Sequence, residues 1–160
     1  MMYFTFFILC VITGFLRHIV HECAHVFVAK LLGEKVKKIQ WLTYQGGTKV
    51  FFENEPDFNK TTSKKWAAIA AAGYIITNII GYCLIFVYYF AQNIFLKRFC
   101  CVAAIIFLII DSLYFVLGSI GDFGDIIGIR KTLHIPKWAS VLLSTSVMFL
   151  NIFIIKVVFY

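Results

Sequence analysis

Residues 3–32, 66–90, 99–118 and 139–158 each run apolar for twenty residues or more. A helix rising 1.5 Å per residue needs about that length to cross the roughly 30 Å hydrocarbon core of a bilayer. Inside hydrocarbon every backbone N–H and C=O must bond within the chain, so such stretches fold as helices. The remaining composition agrees: 61% of the 160 residues are hydrophobic and 14% are charged, where a soluble domain carries roughly 25% charged residues. A disordered tail, a nucleic-acid-binding module and an ordinary cytosolic enzyme are excluded, and no nucleic-acid partner is expected. The expected fold class is an all-α integral membrane protein, one domain over residues 1–160. It has about four transmembrane helices and a small surface β-hairpin between helices 1 and 2.

The N-terminus lacks the basic region and small-residue cleavage pattern of a signal peptide, so the first span is read as retained. The loop over residues 33–65 holds most of the charge. Within it Val36–Thr43 and Thr48–Glu53 read as strands around Gly46-Gly47, and Thr61, Thr62 and Ser63 are candidate helix caps. In the second span Ala70, Gly73 and Gly81 supply small residues for close helix approach. The third span contains a lone Asp111. Residues 119–138 form a Gly-rich turn and a short amphipathic piece. The five cysteines are odd in number and have no CxxC spacing, so they read as small buried hydrophobes. Basic residues number eleven in the 33–65 loop (with Lys30) and the 119–138 segment, against three on the opposite side. Because Lys and Arg collect in cytoplasmic loops, this places both segments in the cytoplasm, with both termini outside. The expected location is the plasma (inner) membrane. A three-span arrangement with a re-entrant first run would spoil that balance.

The sharpest motif is His21-Glu22-Cys23-Ala24-His25, an HExxH. On a helix, positions four apart share a face, so His21 and His25 can bind one tetrahedral Zn²⁺, and Glu22 can act as general base on a metal-bound water. Each ionisable side chain at bilayer depth costs on the order of 2.5–3.5 kcal/mol. Three within five residues require a compensating partner, and a metal supplies one. His18, one turn earlier, reads as a supporting or interfacial histidine, and Arg17 as a snorkelling side chain or a partner for a polar group.

A catalytic zinc takes a third protein ligand and keeps a position open for water. The candidates are Asp111, Asp122 and Asp125. The HExxH lies in the cytoplasmic half of the first span, and the third span ends on the same side near Gly118–Asp125. Asp122 and Asp125 are therefore expected at the depth of the histidines, and Asp111 two to three turns deeper as a structural or supporting carboxylate. Gly118, Gly121 and Gly124 suggest a broken backbone there. One aspartate is expected as the ligand and the other as the N-cap of a helix starting near Ile126.

With these residues in place the chain resembles the site-2 protease family of intramembrane zinc metallopeptidases, especially its small M-fifty-B-like bacterial members. The stretch HECAHVFVAKLLGEKVKKI corresponds to their first core helix, QGGTKVFF to a Gly-Gly-Thr surface hairpin, and Ala71-Ala72-Gly73-Tyr74 to an AAGY or AGP element. GDFGDI takes the place of the LDGG or SDA turn that follows the third core helix. The likeness runs from about residue 17 to 137. Cys23 and Ala24 replace a small residue and Gly, and the family's Asn–Pro element is absent, with Asp111 near its expected place. Alignment to LDGG favours Asp122 as the ligand, whereas counting back from Ile135-Pro136 favours Asp125, with Asp122 slightly ahead.

The resemblance implies a zinc endopeptidase that hydrolyses a transmembrane protein or peptide substrate in or near the bilayer, with the active site toward the cytoplasm. The hairpin would present an edge strand to the unwound substrate. Its lysines can equally serve topology and anionic head groups. A non-catalytic membrane scaffold that keeps the fold is the main alternative, and the intact Glu22 speaks against it. A metal-handling protein would need further ligands, and His134 is the one histidine left over.

Overall fold

A computed structural model describes residues 2–41, 48–54 and 63–159. The elements are α1 (Met2–Leu31), β1 (Val36–Gln40), β2 (Lys49–Phe52), α2 (Lys64–Phe90), α3 (Ile94–Gly121), α4 (Asp125–Thr132) and α5 (Lys137–Phe159). Four of the helices, α1, α2, α3 and α5, are long and apolar enough to cross a membrane. The expected four helices and the hairpin between the first two are all present.

Helix α3 starts five residues before the expected boundary because Asn93 caps it. The Asn93 side chain accepts hydrogen bonds from the backbone N–H groups of Phe95 (2.8 Å) and Leu96 (3.2 Å), two of the donors a helix start leaves unpaired. Lys97 and Arg98, expected in a loop, therefore lie on the helix, where Lys97 sits over the Tyr88 ring. The candidate caps Thr61 and Thr62 and the turn residues Gly46 and Gly47 lie outside the described residues, while Ser63 occupies the N-cap of α2.

Helix α3 is the centre of the bundle. It packs against α2, α5 and α1, and half of its apolar window is buried, against 11% of that of α1. Large apolar side chains such as Phe4, Phe15, Phe86, Phe149 and Phe153 are left exposed around the outside, a surface matched to lipid rather than water. Inside, Ile85, Ala104, Leu108 and Ile155 form one apolar cluster. A polar knot adjoins it. The fully buried Asn151 of α5 donates to Asn78 Oδ1 of α2 (2.9 Å) and to Ser112 Oγ of α3 (2.8 Å), and its Oδ1 accepts from the Tyr82 hydroxyl (2.6 Å). Every partner is on a different helix from Asn151, so the knot fixes α5 against the bundle by hydrogen bonds, which supply cohesion where water is absent.

The hairpin covers one end of the bundle. A bulge at Lys37 breaks the antiparallel register between Val36↔Phe52 and Lys38↔Phe51. Residues three apart normally face opposite sides of a strand. The extra residue lets Val36 and Ile39 share the inner face with Val50 and Phe52, which leaves Lys38, Lys49 and Phe51 on the outer face. Phe52 meets the Trp66 ring edge-on at 5.2 Å, and with Val36 it closes over the buried cluster of Ala29, Trp66 and Ile69. Glu34 pairs with Lys65, which ties the hairpin's root to the start of α2.

At that same end α3 terminates in a reversal. Asp122 adopts the left-handed conformation (φ 55°), and the N–H of Phe123 returns to the carbonyl of Gly118 (3.2 Å), a Schellman arrangement. Gly124 continues the return at φ +71°, and a Cβ there would meet the Tyr114 hydroxyl at 2.2 Å. The start of α4 is therefore folded back alongside α3 to the level of Tyr114.

Candidate metal centre

The reversal decides which aspartate reaches the histidines. His21 and His25 project from one face of α1, their rings 5.0 Å apart. Asp125, the first residue of α4, is lowered onto them. Its Oδ2 lies 2.9 Å from His21 Nε2 and 3.4 Å from His25 Nε2, and the three donor atoms all fall within 4.8 Å of one another. Asp122, slightly favoured by the sequence, is held elsewhere. It is exposed at the C-cap of α3 and pairs with Arg130 and Lys137. Neither aspartate is an N-cap, since Gly124 takes that position for α4. The sequence pattern could not separate the two aspartates, because the difference rests on a left-handed residue and a fold-back rather than on spacing.

Both carboxylates are held below the usual range, for different reasons. Burial works to raise the Asp125 value, and the hydrogen bonds and charge of His21 and His25 outweigh it. At Asp122 the hydrogen bond from Lys137 leads, helped by the charge of Arg130. Asp125 thus stays an anion against two imidazoles, with a quarter of its side chain still open to the cleft.

Each imidazole is braced behind the cluster. His25 donates from Nδ1 to the Ile69 carbonyl at 2.7 Å, which holds the ring with Nε2 toward Asp125. His21 Nδ1 lies 3.2 Å from Asp111 Oδ1, in ion-pair range but not aligned as a hydrogen bond. Asp111 is fully buried and also pairs with Arg17, one turn before His21 on α1. On the other side Gly73 of α2 admits the His21 ring, since a Cβ there would meet Nε2 at 2.5 Å. The sequence placed Asp111 two to three turns too deep. The fold-back brings Asp125 down to its level instead, and the opposite charges of Arg17 and Asp111, each deep inside an apolar span, were the signal for their pairing.

A cleft of about 320 Å³ opens on the cluster. Glu22, His25, Asp125 and Tyr114 line one side, Thr48 to Val50 and Phe52 of the hairpin another, and Trp66, Ile69 and Ala70 of α2 a third. His18 turns to the hairpin, with Nε2 2.6 Å from the Thr48 hydroxyl, which in turn donates to the Trp41 carbonyl at 2.9 Å. The aromatic wall of Phe52 and Trp66 was not read from the sequence. Phe52 faces inward with Val50 by strand alternation, and the docking of the hairpin on α2 brings it against Trp66.

The residues fit a zinc ion on their own chemistry. Two imidazole nitrogens and a carboxylate oxygen are a borderline donor set suited to it. Bonds of about 2.0–2.1 Å at a tetrahedral centre put ligand atoms about 3.3 Å apart, near the 2.9 and 3.4 Å separations from Asp125. Of these three residues, His25 and Asp125 line the cleft.

No curated protein and no solved structure matches the chain. The profile of one family, described as Peptidase M50B-like, matches residues 3–160. With four helices able to span a bilayer and an HExxH facing a depth-matched aspartate, this integral membrane protein belongs to the Peptidase M50B-like family.

Proposed function

We propose that the chain is an intramembrane zinc endopeptidase in which His21, His25 and Asp125 hold the metal and Glu22 is the general base. The observation that carries this reading is the convergence of three donor atoms within 4.8 Å at the wall of a cleft that Glu22 also lines. Bound there, zinc would bring the pKa of a water toward 7 and polarise the carbonyl of the scissile peptide. Glu22, next to His21 on α1, takes a proton at its carboxylate from the attacking water and hands it to the departing amine. The substrate is a transmembrane segment of another protein, or a peptide derived from one. Strand β2 along the cleft offers backbone N–H and C=O groups to an extended chain, and Phe52, Trp66 and Ile69 keep water from its apolar side chains. The charge asymmetry of the loops supports a cytoplasmic orientation for this end of the bundle.

The test is cleavage of fluorogenic apolar peptides reconstituted with the protein in lipid vesicles. Cleavage is expected in the zinc-loaded protein, lost on chelation and lost in Glu22→Gln with the metal still bound. Full cleavage by Glu22→Gln refutes the reading. Metal binding with no cleavage across the library moves the assignment to a non-catalytic scaffold.

A further inference from the structure

We propose that Asp111, paired with Arg17, is a positioning residue that orients the His21 ring toward the metal centre. The inference rests on the metal reading above and extends it to residues outside the ligand set. Arg17 and His21 stand four residues apart on α1, so one carboxylate on the facing helix reaches both. Asp111 of α3 does so through a single oxygen: Oδ1 contacts Arg17 and lies 3.2 Å from His21 Nδ1. Nδ1 and Nε2 sit on opposite sides of an imidazole ring, so a partner for Nδ1 aims Nε2 the other way. In His21 that direction is Asp125, 2.9 Å from Nε2.

The two histidines make the case by comparison. His25 has the Ile69 carbonyl at Nδ1, whereas His21 Nδ1 makes no hydrogen bond and faces Asp111 alone among the described groups. A ligating imidazole is held by what its second nitrogen meets, and loss of such a partner typically costs 10–100-fold in metal affinity. A buried ion pair with no such task is usually no more stable than an apolar pair of the same size. Asp111 is completely enclosed, and the Arg17 side chain is 12% exposed. Arg17 supplies the countercharge that lets a carboxylate stand there.

A paired replacement, Arg17→Met with Asp111→Leu, tests this role: it removes both charges together, so no buried charge is stranded and His21 Nδ1 alone loses its neighbour. Zinc affinity would be measured by competition with a chromophoric chelator on the full chain in detergent, and the visible spectrum of the Co²⁺-loaded protein recorded beside it. The double variant is expected to keep its helical content and monodispersity, to bind zinc 10–100-fold more weakly, and to show displaced Co²⁺ bands. Asp111→Asn, which keeps an oxygen and the side-chain shape beside Nδ1 but drops the charge, is expected to lose less. Wild-type affinity and spectrum in the folded double variant overturn the proposal. If the double variant does not fold, wild-type affinity and spectrum in Asp111→Asn overturn it. Absence of metal binding in the wild type would instead remove the zinc reading, and this proposal with it.

Discussion

Gly73→Ala tests how tightly α2 closes on the metal centre. An ideal Cβ at this position lies 2.5 Å from His21 Nε2 and 2.7 Å from both ring carbons beside it, where ordinary contact begins at 3.4 Å. The ring must therefore retreat by about 1 Å. It has little room to do so, because Asp111, Asp125 and His25 enclose its other sides. Overpacking of this kind costs about 1–3 kcal/mol. A displacement of about 1 Å in a reacting constellation lowers turnover by about 100-fold. The variant is expected to fold with somewhat reduced resistance to denaturing detergent and to bind zinc at least 10-fold more weakly, on the scale of lost ligand support. Gly14→Ala is the matched control on α1, because a Cβ there meets nothing within 4 Å. It should leave zinc affinity unchanged. Equal zinc affinity in Gly73→Ala and the wild type would refute the close approach on which the site geometry depends.

Other perturbations follow from the same contacts. Glu22→Gln should retain zinc and lose about 10²–10⁴-fold in cleavage rate, the usual worth of a positioned general base. Asn151→Leu strands the partners on α2 and α3 that it now satisfies. It should destabilise the bundle by about 1–2 kcal/mol in a detergent-unfolding titration while zinc binding persists. Trp66→Ala removes the buried ring that Phe52 packs on. It should cost about 3 kcal/mol or more and speed proteolysis within the hairpin. The Asp122 carboxylate is held below its unfolded value by Lys137. Its contribution is therefore complete at neutral pH and is lost as pH falls through the lowered value. The stability gap between wild type and Asp122→Asn should be constant above about pH 5 and close in stronger acid.

The spans and the shared face of His21 and His25 were legible because each is written in local pattern. Hydrocarbon-length apolar runs force helices, and His21 and His25 at four-residue spacing fall on one helix face whatever surrounds them. The hairpin was legible from alternation, but the shared inner face of Val36 and Ile39 was not, because the Lys37 bulge shifts the register by one residue and leaves no composition signal. The choice between Asp122 and Asp125 was hidden for a similar reason. Both lie in one short Gly-rich turn. Only the left-handed backbone at Asp122 and the approach of Gly124 to Tyr114 send the first toward Arg130 and Lys137 and the second toward the histidines. Asp111 was placed by counting rise along a straight helix, which takes no account of a chain that folds back on its own end.

Zinc content per chain, measured by elemental mass spectrometry on monodisperse protein, tests the central claim most directly. One zinc per chain is expected in the wild type and in Asp122→Ala, and loss of it in His21→Ala and in Asp125→Ala. A well-folded wild type that takes up no zinc after reconstitution would contradict the account. So would loss of the metal with Asp122 rather than with Asp125.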